Sequence, residues 1–176
     1  MNLSLKPSLL NVSSMINIRQ ILIGLTVLFL GTFVYLVDRS PDQTYFVRLC
    51  SLNISLHNTV PNFFESVGNN LQSFIHVFSF ILITAGLLRW PRRRGITICA
   101  WWFLTDVIFE LGQRYHSLPL KLIPNWFQGI PFLENSRDYF LRGTFDVIDL
   151  AAALAGSIAA YFVFFFTVGK REDYDG

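Results

Sequence analysis

The sequence predicts an all-α fold, an integral membrane bundle of four transmembrane helices with both termini inside and short amphipathic helices in the outer links. Three observations predict it. Hydrophobic residues make up 52% of the 176-residue chain and charged residues only 15%, well off the soluble average. The 18 phenylalanines and a mean hydropathy of +0.44 point the same way. Four stretches approach the roughly 20 apolar residues that a helix needs to cross the hydrocarbon core. Finally, arginines crowd one very short link, which orients the whole set. The length suits a single domain, and there is no internal repeat or low-complexity tract.

The first span covers about 18–37. Lys6 and Arg19 flank it, as in a signal peptide, but YLVDRSPDQ offers no small-x-small cleavage site, so an uncleaved anchor is expected. The first outer link, about 38–70, repeats Tyr45, Leu49, Leu52 and Leu56 at helical spacing, predicting an amphipathic helix that caps the bundle or lies on the membrane. The second span, about 71–88, and the third, about 95–112, are short and carry polar groups, so both are expected to pack against protein. Arg89, Arg92, Arg93 and Arg94 lie between them and place that link in the cytoplasm. In the second outer link, about 113–143, Pro119, Pro124 and Pro131 should break the chain into short pieces. A short helix is expected near 132–141, with Tyr115, Trp126 and Tyr139 at the interfacial level. The fourth span covers about 144–168. Cys50 and Cys99 fall on opposite sides of the membrane in this arrangement and cannot pair within one chain.

Ionisable groups inside such spans cost a few kcal/mol each, even on lenient insertion scales of about 3 kcal/mol, and are seldom idle. His76, Asp106, Glu110, Asp146 and Asp149 are of this kind. Counting at 1.5 Å per residue along alternating helices puts them, with Gln113 and Arg142, within roughly the outer 10 Å of the bilayer. Asp106, Glu110 and Gln113 share a helix face at i, i+4, i+7. Arg142, Asp146, Asp149, Ala153, Gly156 and Ala160 form a comparable stripe whose lower half is small residues, suited to close helix packing. The expected result is one outward-opening polar pocket on spans two to four.

Two readings of the cluster compete at this level. Arg142 could pair with Glu110 or Asp146, and Asp146 and Asp149 could complement a helix dipole, so that the cluster only locks helices in register. Alternatively it holds a ligand. Four carboxylates against one arginine and one histidine leave excess negative charge, to be met by protons, water or a bound cation. His76, Asp106, Glu110 and Asp149 would make a mixed N/O metal set. No HExxH motif is present, and Ser73 and Ser79 near His76 lack a GxSxG elbow. A net charge of +2, without basic runs interleaved with aromatics, speaks against nucleic acid.

Several of these residues stand in a recognisable order: a histidine entering a span (SFIHVFSF), Glu110 and Gln113 as ExxQ ending the next, and Arg142, Asp149 and Gly156 within RGTFDVIDLAAALAG. In this the chain, over about 69–161, resembles the VanZ-like family of small bacterial membrane proteins. It departs from that family at Ala153, where an asparagine is usual. The resemblance implies a multi-pass protein of the bacterial cytoplasmic (inner) membrane and cell envelope, and implies fold and location rather than an activity.

Three functions follow as expectations. The leading one is a pocket for an amphipathic membrane lipid, a headgroup or a lipid-linked envelope intermediate, with Arg142 on a phosphate and no cofactor. The second is a metal-assisted intramembrane hydrolase or transferase. The third is a structural subunit, or homo-oligomer, in which Ala153, Gly156 and Ala160 pack a foreign helix.

Overall fold

The structure, a computed structural model, describes residues 16–38, 68–131 and 133–168. The amphipathic stripe Tyr45–Leu56, Cys50 and both terminal flanks lie outside the described residues. Among those described, the regular elements are all helical: α1 (Ile18–Asp38), α2 (Gly68–Leu88), α3 (Gly95–Arg114), α4 (Ser117–Leu122), α5 (Ser136–Arg142) and α6 (Val147–Thr167), with short 3-10 turns at Arg92–Arg94, Asn125–Gly129 and Leu133–Asn135. Three stretches are long and apolar enough to cross a membrane: Asn70–Leu88, Arg92–Arg114 and Val147–Thr167. A shorter apolar stretch, Ile18–Val34, accompanies them. Large apolar side chains face outward on every long helix, among them Phe29, Trp101, Ile108 and Phe166, while Gln20, Ser79, Glu110, Gln113 and Ser157 are buried. Apolar outside and polar inside is what lipid solvent rewards. The chain is a helical membrane protein.

Helix α2 is the centre of the bundle. On one side it meets α1, where a side chain at Gly24 would strike the Ser79 carbonyl at 2.9 Å. On the other it meets α6, where a Cβ on Gly156 would lie 2.5 Å from the Phe74 carbonyl oxygen and 3.1 Å from its Cα. Both are backbone contacts that a neighbour cannot easily yield, so glycine sets the helix separation. Ala153 and Ala160 are fully buried along the same seam. The small-residue stripe is therefore occupied by the chain's own α2, which removes the expectation that it receives a foreign helix.

The starts of α1 and α3 meet the ends of α2 and α6 at one end of the bundle. Asn17 N–H donates to Gly86 O at 2.7 Å, Asn17 Nδ2 to Thr167 O at 3.1 Å, and Gln20 Nε2 to Thr167 Oγ1 at 3.0 Å. The short link there turns at Arg89, whose φ of 46° is the left-handed conformation that terminates α2, with Trp90 N–H bonded back to Ala85 O at 2.9 Å. Trp90 Nε1 then ties down Arg94 O at 2.7 Å, and Arg92 lies 3.6 Å over the Phe165 ring. The arginine link is thus packed onto the bundle.

Three expectations need correcting. The last span begins at Val147 rather than near residue 144, because Asp146 is extended and its Oδ1 accepts Ile148 N–H at 2.8 Å, capping α6. Helix α3 does not pack against protein on most sides: Ile96, Trp101 and Ile108 are about 70% exposed at 69%, 71% and 67%, since α3 lies outside the α1–α2–α6 layer. Pro119 interrupts nothing; it sits in the first turn of α4, where its missing N–H has no helical partner to lose.

Candidate functional site

The end of the bundle opposite the arginine link is closed by α5 and the turn before it. Two glycines let α5 settle there. A Cβ on Gly112 would lie 2.6 Å from the Phe140 ring, and one on Gly143 would lie 2.5 Å from Gln113 Cδ. Gln113 Nε2 donates to Tyr139 Oη at 2.8 Å. His116 Nδ1 donates to Phe140 O at 2.6 Å. A second anchor is Arg137, whose Nη2 donates to Asn125 Oδ1 at 2.8 Å and Ile123 O at 3.3 Å. So α5 is held from both sides.

Here the expected single pocket divides in two. One part is a seam between α3 and the start of α6, holding Glu110 and Gln113, both buried. Glu110 Oε2 accepts the Asp146 backbone N–H at 3.4 Å, so this acid helps to finish the cap of α6. Glu110 stands close enough to Asp106, Asp146 and Asp149, and Asp106 to Asp149, for their charges to interact. The other part is a cavity of about 430 Å³ between α2, α3 and α5. Its lining includes His76 and Asp106, together with Phe80, Trp102, Phe109, Asn135, Ser136, Tyr139 and Phe140. Asp106 belongs to both parts, on the wall that divides them.

The cavity walls are aromatic. His76 stacks on Phe80 at 5.8 Å, and Phe80 on Trp102 at 4.9 Å. Trp102 is fixed by its Nε1 bond to Thr84 Oγ1 at 3.2 Å. Opposite them, Phe109, Tyr139 and Phe140 form a second cluster with centroids 5.2 to 6.0 Å apart. The Tyr139 phenol is pushed above its ordinary pKa, chiefly by burial of the hydroxyl and further by the nearby Glu110, Asp106 and Asp149, against a lowering from the Gln113 hydrogen bond.

Satisfaction of polar atoms is incomplete at this end. Asp106 Oδ2, Asn70 Nδ2 and Asn135 Nδ2 are buried without a hydrogen-bond partner among the described residues. Such atoms each cost about 1–3 kcal/mol and are uncommon in structural clusters.

Arg142 is not brought to the cavity. It belongs to α5, a separate short helix, so the periodic stripe that joined it to Asp146 and Asp149 is broken by extended backbone at Gly143 and Asp146. Its side chain is 83% exposed and pairs with Asp138 at 3.7 Å. Among the described residues, no three His, Cys, Asp or Glu side chains are grouped to hold a metal ion, so the mixed N/O set is not assembled. Ser79 is fully buried in the core and does not line the cavity, which leaves it no nucleophilic role there.

Sequence reasoning missed the contribution of Asn135, Ser136 and Phe140, and the two aromatic walls. The signal was present as Trp102 and Phe109, seven residues apart on one helix, and as the adjacent pair Tyr139 and Phe140 on another, but such aromatic residues read equally as lipid-facing surface. No protein-family model, curated protein or solved structure matches the chain.

Proposed function

We propose that this membrane protein binds the polar head of an amphipathic molecule in the cavity between α2, α3 and α5, as a binding protein of the bacterial cell envelope. The observation that carries the reading is the cavity itself. It is about 430 Å³ in volume, aromatic-walled, and reached by Asp106 and His76 at the end opposite the arginine link. Ligand pockets combine apolar walls with a few polar groups in this way. On the positive-inside rule the arginine link is cytoplasmic, which turns the cavity toward the outer leaflet and puts the start of α1 and the end of α6 inside. Membership of the VanZ-like family and residence in the cytoplasmic membrane are parts of the same proposal. They rest on the motif residues and on this orientation.

The exposed rings at the cavity margin fit a lipid-borne ligand. Phe109 and Tyr139 are about half exposed at 45% and 48%, so an acyl chain entering from the side would keep apolar contact while its head passes inward. Trp126 and Tyr115 are exposed at the same end, where amphipathic rings suit the headgroup level.

The test uses the full chain extracted in mild detergent. Native mass spectrometry should find one lipid retained by the wild type. Ser136→Trp, which fills the cavity from its α5 wall, should release that lipid while the melting temperature stays within a few degrees. A wild-type chain that retains no lipid, or a filled variant that retains the same one, would refute the reading.

A further inference from the structure

We infer that the head bound in this cavity carries a positive ammonium group, and that the cavity selects ammonium-bearing heads over purely anionic ones. The inference rests on the binding reading above and adds the charge of the ligand.

It follows from where the charges lie. Asp106 is the acid on the cavity wall, and Glu110 and Asp149 act on it from the seam behind. Among the described residues, the arginines of this end of the bundle that could receive a phosphate lie outside the cavity lining. Arg142 is turned to solvent with Asp138. Arg137 bonds through Nη2 to Ile123 O and Asn125 Oδ1 and does not line the cavity. Arg114 lies over the Tyr115 and Phe145 rings, at 5.9 and 5.1 Å. Among the described residues, His76 is the one lining residue able to carry a positive charge. An anionic head would therefore enter a field of its own sign.

The walls supply the second argument. An aromatic face presents negative π density, and rings on two sides of a cavity attract an organic cation while offering a metal ion no ligands. Phe80 and Trp102 provide one side, Phe109 and Tyr139 the other. An alkylammonium carries the right charge for Asp106 and an apolar periphery for the rings. Asn135 and Ser136, neutral donors on the same lining, suit the acceptor oxygens that follow the ammonium in a zwitterionic head. The same ammonium chemistry occurs in free amines as well as in lipids.

The experiment offers the detergent-solubilised full chain equal amounts of phosphatidylethanolamine, phosphatidylcholine and phosphatidylglycerol, read by native mass spectrometry. The two ammonium lipids should be retained about tenfold over phosphatidylglycerol, a difference of about 1.4 kcal/mol. Asp106→Asn, which keeps the shape, should erase that preference. Phe109→Leu, at a half-exposed ring, should weaken it about threefold without touching the acid. Displacement by excess free ethanolamine would assign recognition to the ammonium alone; resistance to it would assign recognition to the lipid-borne form.

Equal or better retention of phosphatidylglycerol, or an unchanged preference in Asp106→Asn, overturns the inference. If Ser136→Trp still releases the lipid in that case, the binding reading stands and only the charge assignment falls. Retention of no lipid at all overturns both.

Discussion

At the arginine-link end, Asn17, Gln20 and Trp90 each reach a partner on another helix or turn, and the bonds are 2.7 to 3.1 Å long. At the opposite end, Asp106 Oδ2, Asn70 Nδ2 and Asn135 Nδ2 are buried without one among the described residues, at the end that holds a cavity of about 430 Å³. Both ends bury polar groups at a depth where lipid or protein replaces water. Only one of them completes the pairing. The first pattern is that of a structural knot, in which each donor stabilises a helix end. The second leaves polar groups unpaired at a cost in stability, the pattern that the proposed binding function calls for.

The largest effect that can sharpen this contrast lies on the seam running between the two ends. Gly156→Leu puts a side chain into the Phe74 backbone, and overpacking against backbone should cost about 3 kcal/mol or more. Loss of the folded fraction in fluorescence-detected size exclusion would register it. Retained stability would mean that α2 and α6 can separate, and the cavity would not then have rigid walls.

The contrast itself is tested by a matched pair. Gln20→Ala should lower stability by about 1 kcal/mol, since an interhelical hydrogen bond in a membrane protein averages about 0.6 kcal/mol and a 1%-exposed side chain is lost with it. Asp106→Asn should leave stability unchanged or raise it, because it removes a charge from a cluster of acids. Steric-trap or denaturant unfolding in the same detergent measures both. Equal losses in the two variants would break the distinction between a structural and a functional end.

The smallest effect is expected at Arg142. Its ion pair is solvent-exposed, so Arg142→Ala should change stability by less than about 0.5 kcal/mol and leave lipid retention as in the wild type. A loss of bound lipid would return Arg142 to the site and favour an anionic head.

Hydropathy is a sum over neighbours in sequence, so the long helices were legible before any packing was known. The 3.6-residue period likewise placed Glu110 and Gln113 on a buried face, and Ala153, Gly156 and Ala160 on a packed one. The start of α6 was also written locally: Asp146 stands three residues before Asp149, the spacing of a capped N-terminus. Arg142 was misjudged for a related reason. Periodicity was carried across Gly143, where the chain leaves the helix, and phase has no meaning beyond such a break.

The sequence by itself determined a helical membrane protein, its long apolar helices and the helix face shared by Asp106, Glu110 and Gln113, because these depend on residues a few positions apart. Tertiary structure alone decided that the polar groups separate into a seam and a cavity. It decided too that α5 and the turn before it supply Asn135, Ser136 and Tyr139 to the wall, and that Arg142 turns away. Those outcomes depend on how Phe140 of α5 settles on Gly112 of α3 and how Gly143, the C-cap of α5, meets Gln113. Contacts between distant segments are set by shape and volume at the point of meeting, which no local pattern in either segment encodes.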